Sequence, residues 1–378
     1  MKKVCHITTV HPPFDTRIFH KECKTLVSAG YDVVLIAQQD NRQLITDNKQ
    51  LTTAIDGVKI VYLSKPKNRF ERMFFLTRKA YKLALKQKAD IYHFHDPEFL
   101  PWAVKLKRKT RAKIIYDVHE NVPKQILSKY WIPNILKGFI ALLVNVLEKF
   151  YAKKMDKIIT ATENISKRFP KEKTEVIRNF PDFPKINNVL PIDYNRKLPI
   201  VLYQGAIVEI RGIKQIVAAV DILKEKIELW LMGPFSPANL KKEILTKETE
   251  AYIKYKGHLP FEKMCRFLKR ADIGLVLFLP EPNHVESLPN KIFEYMAAGI
   301  PIIASNFPLW KKIVEGNKCG ICVNPLEPKE IAGAIEYLIE HPEEARKMGT
   351  NGRKAVLEKY NWENESKKLL RVYEELTK

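Results

Sequence analysis

Short apolar runs alternate along this chain with longer stretches in which apolar residues recur every three or four positions. The runs are rich in Val, Ile and Leu and predict β-strands, whereas the longer stretches predict amphipathic helices. In the first half the predicted strands are residues 4–10, 31–37, 58–63, 90–95, 113–118, 157–161 and 174–178. Helices are predicted between them, at 16–29, 69–88 and 99–109 and in two stretches that end at 154.

Residues 179–199 interrupt this alternation and contain Pro181, Pro184, Pro191 and Pro199, so we place a linker there. The alternation then resumes with predicted strands at 200–203, 228–232, 252–255, 272–279 and 300–304. Two such arrays predict an α/β protein with two doubly wound, mostly parallel domains. In folds of this kind ligands bind at the carboxyl ends of the strands, which we expect to face a cleft between the domains.

The charge of the chain is strongly uneven. The whole chain has a formal net charge of +22. Residues 1–190 carry 36 Lys and Arg against 18 Asp and Glu, a net charge of +18, which leaves +4 for the rest. A basic half beside a nearly neutral half indicates an anionic partner on one side, for which nucleic acid, an acidic membrane and a phosphorylated substrate all qualify.

Cysteine usage and the chain start predict a cytoplasmic protein with reduced thiols. Met1-Lys-Lys leads directly into a strand, without the pattern of a signal peptide, and no apolar run is long enough to span a membrane. Five cysteines cannot all pair. Cys319 and Cys322 have the spacing of a redox or metal pair, but they lie in a late strand without a second pair, so we interpret them as buried thiols.

One segment combines two carboxylates with the start of a helix, and it reads Glu286-Ser-Leu-Pro-Asn-Lys-Ile-Phe-Glu294. Pro289 suits the first turn of a helix, and Gly299 suits the residue just past its end. Free N–H groups at a helix start bind phosphate, and Lys291 lies close to them. A carboxylate near the phosphates and another about two turns along suit a nucleotide-sugar.

Continued by Tyr-Met-Ala-Ala-Gly299-Ile-Pro, this segment resembles the E-x7-E motif of retaining glycosyltransferases of family 4, of the type that makes bacterial polysaccharides and glycolipids. The resemblance covers nearly the whole chain. It implies a GT-B fold with two Rossmann-like domains, an acceptor-binding one at 1–185 and a donor-binding one at 195–361. Residues 362–378 resemble the family's last helix, which packs back on the first domain.

The resemblance also implies which residues bind the donor. Glu294 corresponds to the carboxylate at the ribose and Glu286 to the one at the donor sugar, where the backbone of Ser287 and Leu288 also lies. Residues 203–213 resemble the family's phosphate loop, in which Arg211 matches the second cation and contacts the diphosphate. Further donor contacts implied by the resemblance are Gly205, Gly233, His258 and Leu259.

The first cation of that phosphate loop is missing, because Ala206 stands where the family often has Arg. Lys214 or Lys291 is left to supply the charge. The resemblance points to a reaction in which the protein mainly positions the reactants and stabilises the leaving diphosphate. We therefore expect no cofactor, with a nucleotide-diphosphate sugar as the donor substrate.

On the acceptor side, Tyr116-Asp-Val-His119-Glu120 resembles the family's histidine segment, which implies that His119 lies near the reacting carbons. The other acceptor-binding candidates are Asp15, Arg17, His95, Asp96 and Glu120. His93 and His95, which lie near Asp96 and Glu98, suggest a metal site. We interpret them instead as polar lining of the cleft and expect no metal.

Two other functions remain open from the sequence, a nucleotide-sugar epimerase of similar architecture and a basic nucleic-acid-binding protein. A nucleotide-sugar epimerase would not be expected to carry the motif at 286–294. The sequence also contains no known nucleic-acid-binding signature. We therefore expect no nucleic-acid partner. The expected acceptor is a glycan or lipid-linked glycan in bacterial surface polysaccharide synthesis.

The basic half also suggests a peripheral position on an anionic membrane. Residues 65–88 hold nine Lys or Arg and one acid, Glu71. At helical spacing Arg72, Lys79, Lys82 and Lys86 line one side, while Phe70, Phe74 and Tyr81 line another. Such a helix suits a membrane interface or, alternatively, an ordinary outer position with its aromatic residues against the sheet. The more apolar residues 131–147 either insert into the membrane or belong to the core.

Overall fold

The computed structural model describes residues 1–39, 52–127, 129, 132–195 and 197–377. The chain forms two compact units, unit 1 (Met1–Asn179 and Trp362–Lys378) and unit 2 (Phe180–Asn361). The change from one unit to the other falls at the start of the predicted linker. The α/β class with two mostly parallel sheets, predicted from the sequence pattern, is confirmed.

Unit 1 is built on an eight-stranded sheet with the order β3-β4-β2-β1-β5-β6-β7-β8. Its strands are β1 (Lys3–Ile7), β2 (Asp32–Gln38), β3 (Thr52–Ile55), β4 (Val58–Leu63), β5 (Ile91–Phe94), β6 (Lys113–Val118), β7 (Lys157–Thr160) and β8 (Thr174–Val176). All neighbours pair in parallel except β3 and β4, which form an antiparallel edge. The sequence pattern missed β3, whose residues are alternately exposed and half-buried.

The helices of unit 1 cover both faces of this sheet. They are α1 (Lys24–Ser28), α2 (Arg69–Glu71), α3 (Thr77–Gln87), α4 (Leu100–Thr110), α5 (Val122–Leu127), α6 (Asn134–Ala152) and α7 (Glu163–Ser166). A π-turn, Ile18–Cys23, precedes α1, another, Arg72–Leu76, joins α2 to α3, and 3-10 turns lie at Pro97–Phe99 and Lys171–Lys173. Helices α3 and α4 and the end of α6 share one apolar core, and α1 contributes to the core on the other face.

The π-turn at Arg72–Leu76 changes the face that the following helix buries. Helical periodicity places Phe70, Phe74 and Tyr81 on one side, but Tyr81 packs against the core while Phe70 and Phe74 are 64% and 57% exposed. A π-turn holds an extra residue, so it rotates every later side chain relative to the earlier ones. The expectation that the aromatic residues of 65–88 pack against the sheet is therefore wrong for Phe70 and Phe74.

Unit 2 contains a six-stranded, fully parallel sheet with the order β11-β10-β9-β12-β13-β14. Its strands are β9 (Ile200–Gln204), β10 (Glu228–Met232), β11 (Ile253–Gly257), β12 (Ile273–Val276), β13 (Ile302–Ser305) and β14 (Gly320–Val323). The strand order reverses between β9 and β12. This is the Rossmann order, and ligands bind at such a switch point, at the carboxyl ends of the strands.

The helices of unit 2 pack on both faces of its sheet and contribute to two apolar cores. They are α8 (Phe183–Asn187), α9 (Ile213–Ile222), α10 (Asn239–Ile244), α11 (Phe261–Leu268), α12 (Pro282–Val285), α13 (Asn290–Ala298), α14 (Pro308–Val314), α15 (Pro328–Glu340) and α16 (Pro342–Glu358). Turns of 3-10 helix lie at Glu209–Arg211 and Thr249–Ala251.

The last helix, α17 (Trp362–Thr377), belongs to unit 1. Trp362 Nε1 donates a hydrogen bond of 2.9 Å to Thr25 Oγ1, and the buried Glu365 accepts one of 2.9 Å from the Arg178 backbone N–H. Leu369 and Tyr373 are fully buried against the sheet. The chain end thus completes the core of the first unit.

The five cysteines are unpaired, and only Cys322 is partly exposed, which agrees with the predicted buried thiols. Among the described residues, the helices are either too short or too polar to cross a bilayer.

Candidate donor and acceptor sites

Glycines end the first three strands of unit 2 and bring their backbones very close together. Gly205, Gly233 and Gly257 follow or end β9, β10 and β11 with φ angles of +102°, +141° and +76°. A side-chain carbon on Gly233 would lie 2.0 Å from the carbonyl oxygen of Gly205. Only glycine fits there, so the carboxyl edge of the sheet is open to a ligand that contacts the backbone.

Two cations lie at Gly205. A side-chain carbon built on this glycine would be 3.6 Å from both Arg211 Nη1 and Lys291 Nζ. Lys291 Nζ lies 3.9 Å from the ring centre of Tyr203 and 5.1 Å from that of Phe278. The Arg211 guanidinium is also 5.1 Å from Phe278. The aromatic faces stabilise both positive charges beside the open edge.

The ammonium group of Lys291 is buried and has no hydrogen-bond partner among the described residues. Burial and the nearby Arg211 hold the pKa of Lys291 well below its usual value, although Glu294 acts in the opposite direction. An unpaired buried cation is costly, and an anion placed at Gly205 would remove that cost.

Lys214, the other candidate for the missing cation, is in a different environment. It is exposed and forms ion pairs with Glu209 and, at 2.9 Å, with Glu243. Its charge is therefore already compensated on the surface. Lys291 Nζ is among the atoms nearest to Gly205, so Lys291 is the better placed of the two lysines, and a contact of Lys214 with the donor stays a prediction.

Glu294 lies on α13, one turn after Lys291, and accepts a hydrogen bond from Gln204 Nε2 at the end of β9. Glu286 ends the short helix α12 and is half-buried. The loop between them is held in place, because Trp310 Nε1 donates to the Ser287 carbonyl oxygen at 2.7 Å. The predicted loop-and-helix arrangement of the two glutamates is present.

Three more residues were predicted to contact the donor, namely Leu288, Leu259 and His258. Leu288 and Leu259 are half-buried and pack against the core of unit 2. His258 is exposed just after β11, and its contact with a base stays a prediction.

In unit 1, histidines form a chain of contacts at the carboxyl ends of β1, β5 and β6. His6 Nδ1 lies 3.1 Å from His95 Nε2, and His95 Nδ1 lies 3.1 Å from His119 Nε2. His119 Nε2 is also 3.0 Å from Asp117 Oδ2. His6 and His95 are buried, whereas the side chain of His119 is 17% exposed, so His119 is the member that an acceptor can reach.

His93 does not line a surface. It is fully buried, and its Nδ1 lies 2.7 Å from the hydroxyl of Tyr373 on α17, which also lies 3.2 Å from His6 Nε2. The interpretation of His93 as polar cleft lining is wrong, because the last helix covers it.

Arg17 and two carboxylates form the charged centre beneath these histidines. The Arg17 guanidinium donates to both oxygens of Asp117, at 3.0 and 2.9 Å, and its Nε lies 2.9 Å from Glu22. A further hydrogen bond joins Arg17 Nη1 to the Ile177 carbonyl oxygen at 2.9 Å. Its donors are thus used inside the unit, which corrects the expectation that Arg17 binds an acceptor.

The pKa values of the two carboxyl groups are shifted in opposite directions. Burial favours the neutral form of both, but the positive charge of Arg17 and hydrogen bonds from His119 and His95 keep the pKa of Asp117 well below its usual value. Burial and the negative charge of Asp117 raise the pKa of Glu22 well above its usual value. Of the two groups, Glu22 therefore has the stronger tendency to keep its proton.

The remaining acceptor candidates lie around the loop after β1. Asp96 is buried and accepts hydrogen bonds from Thr8 Oγ1 at 3.0 Å and from the Thr9 backbone N–H at 2.5 Å, so its side chain shapes that loop. This corrects its assignment as an acceptor contact. Asp15 is partly exposed beside His11, and Glu120 is exposed, so both stay predictions.

Some of these groups could hold a metal ion. Four ligand atoms from His6, Glu22, His93 and His95 lie within 4.8 Å of one another. Burial lowers the pKa of both His6 and His93 well below its usual value, and the neutral imidazole is the form that binds metals. The absence of a bound metal stays a prediction.

Family models match both units. The model described as glycosyl transferases group 1 matches residues 185–355, and that of Glycosyltransferase Family 4 matches residues 16–183. Together they cover most of the chain. The chain belongs to glycosyltransferase family 4.

Individual relatives of this glycosyltransferase agree. An MMP alpha-(1->4)-mannosyltransferase from Mycolicibacterium hassiacum is 20% identical over 318 residues, which are 78% of this chain and 73% of the relative. Sucrose-phosphate synthase from Thermosynechococcus elongatus has a TM-score of 0.79 at 18% identity, covering 100% of this chain and 99% of its own. Anabaena HepE in complex with UDP-glucose has a TM-score of 0.71 at 12% identity, covering 99% and 100%. The predicted GT-B fold is confirmed, and membership of the family removes the epimerase and nucleic-acid alternatives.

Several residues that contribute to these sites in the glycosyltransferase were not predicted from the sequence. Gln204 holds Glu294, and Tyr203 and Phe278 enclose Lys291. Asp117 and Glu22 lie at the centre of the histidine cluster. One available signal was Asp117 itself, a charged residue in the otherwise apolar run 114–118, since a charge in a buried strand needs partners.

The raised pKa of Glu22 predicts a pH-dependent effect on stability. Above the pKa of the unfolded glutamate, unfolding releases a proton, so this group lowers stability by up to about 1.4 kcal/mol per pH unit until it ionises in the folded state. Glu22→Gln cannot release that proton. Its free energy of unfolding relative to the wild type, measured by chemical denaturation, should therefore rise from pH ~5 to ~8.

The exposed Glu120→Gln serves as the control and should show no such trend. Parallel pH profiles for Glu22→Gln and the wild type would show that Glu22 is ionised in the folded protein.

Proposed function

We propose that this enzyme transfers a sugar from a nucleotide-diphosphate sugar, with retention of the anomeric configuration, to a glycan or lipid-linked acceptor. The observation that carries the proposal is the pair of cations, Arg211 and the unpaired Lys291, at Gly205 in unit 2. A diphosphate placed there would meet both cations and the start of α13.

The rest of the donor fits the surroundings of this pair. Glu294, about one turn beyond Lys291, lies where it can accept hydrogen bonds from ribose hydroxyls. Glu286 precedes the helix start and is suited to the hydroxyls of the sugar. Structures of Anabaena HepE contain UDP and UDP-glucose, which favours a uridine nucleotide for this chain as well.

The proposed reaction needs no strong protein nucleophile. The acceptor hydroxyl attacks the anomeric carbon from the face that the diphosphate leaves, and a phosphate oxygen takes the hydroxyl proton. Positive charge near the departing oxygen lowers the barrier, and Arg211 and Lys291 supply it. His119, the exposed end of the histidine chain, is proposed to hold the sugar in unit 1.

The proposed acceptor is anionic, as the linkage of a glycan to a lipid diphosphate would make it. A depression of about 240 Å³ at the carboxyl edge of unit 1 is lined by Val10, Gln38, Lys65, Pro66, Asn68, Arg69 and Arg72. Three of these seven residues are cationic. Such an acceptor belongs to the synthesis of bacterial surface polysaccharide, at the inner face of the cell membrane.

Removal of the Glu294 carboxylate should weaken nucleotide binding. Loss of charge-assisted hydrogen bonds to the ribose predicts that Glu294→Ala binds UDP more weakly by about 1.5–3 kcal/mol in titration calorimetry. Glu343→Ala, at an 84% exposed position of α16, is the matched control. Equal affinities for both variants and the wild type would exclude Glu294 from the site.

Lys291 should take up a proton when the diphosphate binds. The low pKa of the free amine rises beside a phosphate, so UDP affinity should fall as pH increases through the range in which Lys291 titrates. Calorimetry in buffers of different ionisation enthalpy should detect the uptake. Lys291→Met should abolish it, whereas Lys214→Met should retain it. Uptake that survives in Lys291→Met would assign it to another group.

We further propose that transfer requires no divalent metal. Treatment with EDTA followed by desalting should leave the rate of transfer unchanged, since the proposed charge stabilisation comes from Arg211 and Lys291. Loss of activity that Mg²⁺, Mn²⁺ or Zn²⁺ restores would contradict this, and loss of the effect in His6→Ala would then locate the metal in the histidine cluster.

A further inference from the structure

Helix α6 turns an apolar face towards solvent. Its exposed large apolar side chains are Ile135, Leu136, Phe139, Leu142, Leu143, Val146, Leu147 and Phe150. They recur every three or four residues, so they form one stripe along the 19-residue helix, which is about 28 Å long. Ile135 is 90% exposed and Phe139 is 68% exposed. Continuous apolar patches on a protein surface mark interaction sites.

The opposite face of α6 fixes this orientation. Ala141, Glu148 and Ala152 are its buried residues. Glu148 accepts a hydrogen bond of 2.9 Å from Tyr116 and forms an ion pair with Arg168. Turning the apolar stripe inwards would break these buried contacts. Of the two alternatives for residues 131–147, the core is therefore wrong for the apolar stripe, although Ile132 and Ala141 are buried. Trp131 lies outside the described residues.

The charges around the stripe have one sign. Apart from the buried Glu148, the charged residues of α6 are Lys137 and Lys149, and Lys153 and Lys154 follow directly. An acidic residue is thus missing from the exposed part of α6, whose residues are all described.

A second element of unit 1 has the same character. Near the start of the helix that follows β4, the side chains of Phe70, Met73, Phe74 and Phe75 are exposed. Exposed cations in the same segment are Arg69, Arg78, Lys79, Lys82 and Lys86. These aromatic residues are the ones that the π-turn directs away from the sheet.

The topology places both elements on one side of unit 1. Strands β4 and β6 are parallel members of the same sheet, so α2 and α5, which follow them directly, begin near the same edge, and α5 packs against α6. Helix α4 packs between α3 and α6 on the same face. His119 follows β6 at that edge.

We propose that this surface, α6 with the exposed start of α2–α3, binds an anionic lipid bilayer, with α6 lying in the plane of the interface. Apolar side chains beside cations, on a helix that cannot span the membrane, are the features of such binding. Each cation near an acidic surface adds to the attraction.

Charge also argues against a second copy of the chain as the partner that covers the apolar stripe of α6. Paired α6 helices would bring Lys137 and Lys149 of two strongly basic units together without an acid between them. An anionic bilayer instead compensates these charges while it covers the apolar stripe. Residues 65–88, which the sequence favoured as the docking segment, then act as a second contact beside α6.

This proposal goes beyond the proposed function, since binding of the empty enzyme to lipid needs neither donor nor acceptor. The test is co-sedimentation of the full chain with vesicles of phosphatidylcholine alone or with about 30% phosphatidylglycerol. Binding should appear with the anionic lipid and decrease at high salt. The triple variant Phe139→Ser, Leu142→Ser, Val146→Ser should bind roughly tenfold or more weakly, because each side chain loses burial in lipid.

The matched control replaces exposed apolar residues of unit 2, in the double variant Ile222→Ser, Leu357→Ser, which should bind vesicles like the wild type. Retained UDP affinity and melting temperature show that the triple variant is folded, so its loss of vesicle binding is specific. Equal binding by the triple variant, absence of binding to anionic vesicles, or a dimer in light scattering that the triple variant abolishes would each overturn the proposal.

Discussion

Lys291 places a titratable amine in the interior of unit 2 without a hydrogen-bond acceptor among the described residues. Electrostatic attraction to aromatic faces stabilises the protonated form of this amine, chiefly the ring of Tyr203, whose centre lies 3.9 Å from Nζ. The arrangement depends on three backbone features, the glycine ends of β9 and β10 and the start of α13. Together they leave space at Gly205 where an anion would relieve the unpaired charge. The proposed donor chemistry follows from this single constraint.

Unit 1 also buries charged groups, but it places them beside groups of opposite charge. There opposite charges lie in contact, since Arg17 donates to both oxygens of Asp117, and the pKa of Glu22 is raised beside them. In such a cluster, removal of one partner leaves another buried charge unpaired. We infer that it holds the histidine chain in place and leaves only His119 at the surface. Unit 1 thus positions one group, whereas unit 2 leaves the amine of Lys291 without a hydrogen-bond partner among the described residues.

The buried strands, their parallel order and the α/β class were predictable from the sequence, because buried parallel strands are continuous apolar runs bounded by turns, whereas the half-exposed, antiparallel β3 was not. The glutamates at 286 and 294 were predictable through family resemblance. The choice between Lys214 and Lys291 was not, since it depends on which side chain the fold buries. Arg17 and Asp96 were predicted to bind the acceptor because both lie in loops that follow strands, and here each finds its partners inside. The rotation at Phe70 and Phe74 depends on a π-turn that helical periodicity does not reveal.

The central claim is that unit 2 binds a nucleotide diphosphate between the glycine edge and α13. Hydrogen exchange of the full chain with and without saturating UDP tests it most directly, because exchange reports on backbone segments without any substitution. The account predicts slower exchange in residues 203–213 and 287–294, which hold Gly205, Arg211, Lys291 and Glu294. Unchanged exchange in both segments at saturating UDP, or protection confined to unit 1, would contradict it.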